Sequence, residues 1–171
     1  MRPWLRRALA IALTLAVALT LGLCARRFGF TLVRVTGTSM NGTLSGGDLL
    51  LVTRWDYAGG AQPDRGDVVE CRFPGRVDSY IKRVVGLPGE RVEFSGGALY
   101  IDGEAVEEPY VSSPTDDYAV QLNDGEFLVL GDNRAESYDS RMPDMGAIAA
   151  EDFQGRVRWV LWPLSHMGPV N

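Results

Sequence analysis

The chain has 171 residues, 46% of them hydrophobic, and a formal charge of −5. That length suits one domain with a proper core, and the acidic balance gives no footing to a nucleic-acid partner, which usually requires a basic face. Lys82 is the single lysine and His166 the single histidine, so a mechanism that needs a neutral amine or an imidazole has one candidate for each.

The chain opens with an uncharged, almost wholly apolar run over residues 8–25. Roughly 18 residues at 1.5 Å each reach about 27 Å, just enough for a bilayer core. Arg2, Arg6 and Arg7 precede the run, Arg26 and Arg27 follow it, and Trp4 suits an interfacial belt. A cleaved signal peptide carries a shorter apolar stretch, of about 7–15 residues. A lipoprotein anchor at Cys24 wants a small residue where Leu23 stands. The run therefore reads as a permanent anchor. Residues 1–27 form a cytoplasmic stub and span, and residues 28–171 one tethered domain. The heavier positive charge ahead of the run favours an N-terminus in the cytoplasm. The lipid bilayer is then a partner.

Beyond Phe28 the pattern changes to short apolar runs broken by turns. Strands are expected at 30–35, 48–55, 67–73, 79–86, 90–94, 98–102, 104–108, 126–131 and 156–163. Their spacing, with Gly and Pro between them, predicts an all-β sandwich or barrel-like fold. Asp102-Gly103 between two alternating runs is a hairpin signal, because a type I′ turn needs positive φ at both central residues. Residues 95–125 read as a small hairpin and loop insertion, with 107–125 an exposed loop. Residues 143–154 are the one stretch with a short turn of helix. Cys24 and Cys71 match no metal-binding pattern and read as free thiols. Neither a metal nor a cofactor is expected.

Three stretches carry candidate chemistry. In "TGTSM", Ser39 is either an ordinary turn former or a nucleophile, which would need a base and oxyanion donors. Its own N–H is a natural donor. In "SYIKRVVG", strand alternation places Tyr80, Lys82 and Val84 on one face and Ile81, Arg83 and Val85 on the other. One of the two adjacent basic side chains is expected to face solvent. Lys82 either snorkels to water or is buried, where desolvation lowers its pKa and frees a neutral amine. Arginine cannot do the latter. In "GDNRAESYDSR", a loop mounted on a strongly apolar strand, Asp139 and Arg141 can pair, and Ser137 can offer a hydroxyl to a neighbouring amine. His166 is a poor mount for a base, the sixth residue from a chain end expected to be loose.

Taken in order behind an N-terminal span, Ser39-Met40, "YIKRVVGLPGE" and "GDNRAESYDSR" resemble the type I signal peptidases, membrane-anchored serine proteases with a Ser/Lys dyad. "RGDVVECRFPG" and "GRVRWVLWPL" extend the resemblance over nearly the whole chain. It implies a mostly β, mixed-sheet peptidase fold behind one transmembrane helix, facing the outer side of the cytoplasmic membrane. It implies cleavage of signal peptides from secreted preproteins. By that resemblance Ser39 matches the nucleophile, Lys82 the general base, and Ser137 the residue that orients the lysine. Asp139 and Arg141 match an ion pair beneath the site, and Asp132 and Arg134 belong to the same motif. Val33, Val35, Met40, Tyr80 and Ile81 are candidate walls for shallow pockets that take small side chains at positions −1 and −3.

The chain departs from the family pattern at Gly42, where proline is usual, at Ala135-Glu136, where Asp-Asn is usual, and in a short segment after Arg141. Gly42 predicts a less rigid loop after the nucleophile. Two other functions fit the same features: a peptidase dedicated to one conjugation or pilus substrate, and a tethered β-domain that only binds peptides.

Overall fold

The computed structural model describes residues 3–111 and 113–171. Met1, Arg2 and Ser112, and the side chains at 6, 8, 24–28 and 58, lie outside the described residues. The expected flanking arginines at 2, 6, 26 and 27 and the thiol of Cys24 fall there.

Helix α1 (Pro3–Phe28) is apolar all round, and its described side chains are exposed. Thr14 and Thr20 donate their hydroxyls to the carbonyls of Ala10 and Ala16, at 2.9 and 2.8 Å, so their polar groups are satisfied within the helix. Pro3–Leu23 has a mean hydropathy of 1.6. A helix apolar on every face belongs in a core or a bilayer, and this one joins no core. It is compatible with a single-pass membrane anchor.

The rest is β. The strands are β1 (Phe30–Arg34), β2 (Leu49–Thr53), β3 (Val68–Cys71), β4 (Tyr80–Gly86), β5 (Arg91–Ser95), β6 (Ala98–Ile101), β7 (Glu104–Val106), β8 (Tyr118–Gln121), β9 (Glu126–Leu130), β10 (Ile148–Ala149), β11 (Phe153–Trp162) and β12 (Gly168–Pro169). The large sheet runs β1-β2-β11-β3-β4-β9-β10, with β12 on β11; the small sheet runs β7-β6-β5-β8. The mostly β expectation holds. The mixed sheet does not, because every described pairing is antiparallel. Parallel neighbours need long crossovers, usually helical, and no α-helix follows α1 among the described residues.

β3 and β4 are buried on both faces, which is why their sequences read as continuous runs rather than alternations. Val68 packs with Leu50, Val52 and Val157 in one cluster, whereas Val69 packs with Phe73, Val84 and Phe127 in a second. A third cluster, with Val92, Phe94 and Leu128, joins the small sheet to the large one. Asp102 and Gly103 have φ of 51° and 86° between β6 and β7, the backbone that a type I′ turn requires.

Three local expectations are corrected. Residues 107–125 are not all loop: they contain β8, and Thr115 and Leu122 are buried. Residues 143–154 form no α-helix; Ile148 pairs with Phe127, a single 3-10 turn covers Ala150–Asp152, and β11 begins at Phe153. The end carrying His166 is not loose, because β12 pairs with β11 and Val170 is buried.

Candidate active site

The turn that carries Ser39 leaves β1 and folds back before β2. Amides of Thr43 and Leu44 donate to the Met40 carbonyl at 3.1 and 2.8 Å. Met40 and Leu44 are buried in the first cluster, and Thr43 Oγ1 donates to Asp132 Oδ2 at 2.6 Å. The turn is thus pinned from below by apolar burial and from the side by a carboxylate. Gly42 lies within it at φ +107°. Proline holds φ near −65°, so the turn follows a path on which the family's usual proline could not sit.

β4 brings Lys82 to Ser39. Lys82 Nζ lies 2.8 Å from Ser39 Oγ and 3.2 Å from Ser137 Oγ. Lys82 is only 2% exposed, so it does not snorkel. Burial drives its pKa below the ordinary lysine range, partly opposed by the charge of Asp139.

The loop after β9 closes the site. Ser137 and Asp139 are buried there. Arg141 donates to both oxygens of Asp139 at 2.9 and 3.0 Å, and the Gly131 amide adds a bond of 3.0 Å. Burial alone would raise Asp139's pKa, but the hydrogen bonds from Arg141, Ser137 and Gly131 hold it below the usual carboxylate range. A Cβ at Gly131 would lie 2.6 Å from Ser137 Cβ and would also collide with the Ser39 carbonyl oxygen. Only glycine lets the two serine-bearing segments come this close. The Asn133 amide then donates to that same Ser39 carbonyl at 3.0 Å.

Asp132 and Arg134 do not meet Lys82 by hydrogen bond. Asp132 takes two bonds from Arg83, at 2.9 and 2.8 Å. Arg134 clamps Glu108 through two bonds and reaches Thr115 at 2.9 Å, tying the loop to the segment beside the small sheet. Arg83 is the residue that sequence reasoning missed. Like Lys82 it is 2% exposed, against the expectation that one of the pair faces solvent. Its remaining N–H groups reach the carbonyls of Gly66 and Asn171 and the hydroxyl of Thr43, and Tyr110 stacks on it at 4.0 Å. Strand alternation separates the two faces but does not say that both are covered. His166 is also elsewhere: its Nδ1 is 2.9 Å from Asp48 Oδ2.

A cavity of about 550 Å³ opens beside the serine, between the end of β1 and the start of β4. Val33, Val35, Met40, Tyr80 and Ile81 all line it, together with Ser39 and Lys82. The Ser39 amide donates to no acceptor among the described residues, which is the condition an oxyanion donor must meet.

This geometry can deprotonate a hydroxyl and present it to an extended chain. The family model described as "Signal peptidase, peptidase S26" matches residues 6–162. Signal peptidase I S of Bacillus subtilis strain 168 is 34% identical over 94% of this chain and 92% of its own length. Signal peptidase I T of the same strain is 36% identical over 90% of this chain and 84% of its own. A signal peptidase I from Enterococcus faecalis V583, known as a crystal structure, superposes with a TM-score of 0.51 at 30% identity, covering 56% of this chain and 96% of that one. The chain belongs to the peptidase S26 family of signal peptidases, serine endopeptidases that remove signal peptides.

Proposed function

We propose that the chain removes N-terminal signal peptides from secreted preproteins, with Ser39 as nucleophile and Lys82 as general base. The observation that carries this reading is the 2.8 Å contact between Ser39 Oγ and a buried Lys82 Nζ. When the amine is neutral, Ser39 donates along that contact, and its proton passes to Lys82 as Oγ attacks the scissile carbonyl. The ammonium then protonates the leaving amine as the peptide bond breaks. A water, deprotonated by Lys82, then attacks the resulting ester; the bond to Ser39 Oγ breaks, the ammonium returns its proton to Oγ, and the cleaved segment leaves with a new carboxyl terminus. Ser137 positions the lysine, and the Asp139–Arg141 pair fixes the loop that holds Ser137. Asp132 and Arg134 anchor that loop on its other side.

The substrate lies extended in the cavity between β1 and β4, with small side chains against Val33, Val35, Met40, Tyr80 and Ile81. Residues 1–27 anchor the chain in the bilayer with the N-terminus in the cytoplasm, and residues 28–171 act on the outer face. Residues 95–125 are an insertion in that domain.

The test is cleavage of a model preprotein by the full chain in detergent, with the cut site read by mass spectrometry. The wild type is expected to cut once, after the signal peptide. Cleavage near the wild-type rate by Ser39→Ala or Lys82→Ala would sink the dyad.

A further inference from the structure

Glu70 is a buried acid that the proposed mechanism does not use. It is 8% exposed, its Oε2 is fully buried without a hydrogen-bond partner, and neither oxygen has one among the described residues. A buried acceptor left without a donor is unfavourable by the full cost of its desolvation, so its location matters.

Three observations fix that location. Glu70 stands opposite Ile81 in the β3–β4 ladder. It shares a face with Val68, two residues earlier, and Val68 packs in the cluster that contains Val35, Met40 and Leu50, with Val33 and Ile81 against it. On its other side Glu70 stands opposite Gly155, where a Cβ would lie 2.8 Å from Val52 Cγ1, in the same cluster. Val33, Val35, Met40 and Ile81 also wall the cavity beside Ser39. Glu70 does not itself line the cavity, but its side chain shares the face of Ile81, which does, and of the cluster against which that wall packs. Of the charged groups that line the cavity, Arg34, Asp78 and Glu136 are exposed and Lys82 is buried on Ser39 and Ser137; none of the four bonds to Glu70.

We infer that Glu70 is a specificity residue: it accepts a hydrogen bond from a substrate side chain that enters against Ile81 and Val33. This rests on the peptidase reading above. In an extended peptide, residues two apart face the same way, about 6.8 Å from each other. With the carbonyl of residue −1 at Ser39, residue −3 is the next to enter the cavity. The matching side chain is small and carries a donor, so Ser or Thr is favoured there over an alkyl group of the same shape. A site that expects a hydrogen bond discriminates against an isostere that lacks it, because its own buried group stays unpaired.

The experiment compares synthetic preproteins that differ only at −3, carrying Thr, Val or Ala, cleaved by the full-length wild type, Glu70→Val and Glu70→Gln in detergent. Thr and Val have the same shape and differ by one donor. For the wild type, kcat/KM is expected to be about tenfold higher for Thr than for Val. Glu70→Val should bring that ratio to about one or invert it, while Glu70→Gln, whose amide carbonyl still accepts, should retain part of it. Equal wild-type rates on Thr and Val overturn the inference even if Glu70→Val fails to fold, as does an unchanged ratio in a folded Glu70→Val. Cleavage of the Ala preprotein at the expected bond, with no Thr preference, leaves the peptidase reading standing alone. No cleavage of any of the three by the wild type overturns both.

Discussion

Lys82 and Arg83 are neighbours in one strand, both 2% exposed, on opposite faces of β4, and they are solvated in opposite ways. Arg83 finds an acceptor for every N–H: two carboxylate oxygens of Asp132, two backbone carbonyls and the hydroxyl of Thr43. Lys82 finds two hydroxyls and no carboxylate within hydrogen-bond distance among the described residues. A paired buried cation keeps its charge and holds structure together. A cation that is buried but incompletely paired is pushed toward its neutral form, which is the form a base needs. The contrast teaches that burial alone does not decide what a basic residue does: residue type and acceptors decide it together, since an arginine stays charged and a lysine short of acceptors is pushed toward its neutral form.

The strongest way to break this contrast is Lys82→Arg, which keeps charge and length but cannot yield a neutral base. It is expected to lower kcat/KM on a preprotein by about 10³–10⁴-fold, as is Ser39→Ala. On the other face, Asp132→Ala leaves the Arg83 guanidinium buried without its carboxylate and should cost about 3–5 kcal/mol in urea unfolding. Gly42→Pro acts on the turn that joins both faces, through Ser39 on one side and Thr43 on the other. From the sequence alone it promises a gain of about 0.4–1 kcal/mol. At φ +107° it is expected instead to destabilise by about 1–3 kcal/mol and to depress cleavage.

Lys82→Met sharpens the comparison in the opposite direction. The folded pKa of Lys82 lies below its unfolded value, so between the two the unfolded chain binds more protons and wild-type stability climbs with pH. Lys82→Met should abolish that climb and, below that window, be more stable than the wild type by about 1–2 kcal/mol. Wild-type turnover should rise with pH through a midpoint below about 10.4, the ordinary lysine value. The smallest effect belongs to the exposed Arg91–Glu93 pair, where Arg91→Ala should change stability by no more than about 0.5 kcal/mol. A larger change there would mean that pairing matters in this protein regardless of burial.

Much of this was legible in the residues because local chemistry decides it. The Asp102-Gly103 turn, the apolar helix and the strand holding Lys82 depend on short-range sterics and periodicity. Ser39, Lys82 and Ser137 were named from the sequence, and they meet within hydrogen-bond distance. What escaped depends on how distant strands close over one another. Residues 67–73 read as a strand, but that Glu70 within it is only 8% exposed is not legible in the sequence. β8 carries polar and acidic neighbours and reads as loop until Val120 finds its place opposite Val92. Residues 143–154 read as holding a short turn of helix, but Ile148 is claimed by β9. The path at Gly42 is invisible without φ, because glycine is compatible with almost any turn.

The single lysine has a chemical consequence beyond catalysis. With Lys82 enclosed, the folded protein presents no solvent-exposed lysine to acylating reagents. Lysine modification then becomes a gauge of opening: in the folded protein a reagent reaches Lys82 only through the cavity beside Ser39, so labelling should rise along a denaturant series as β4 comes away from the serine turn, and one peptide in a mass spectrum reports it.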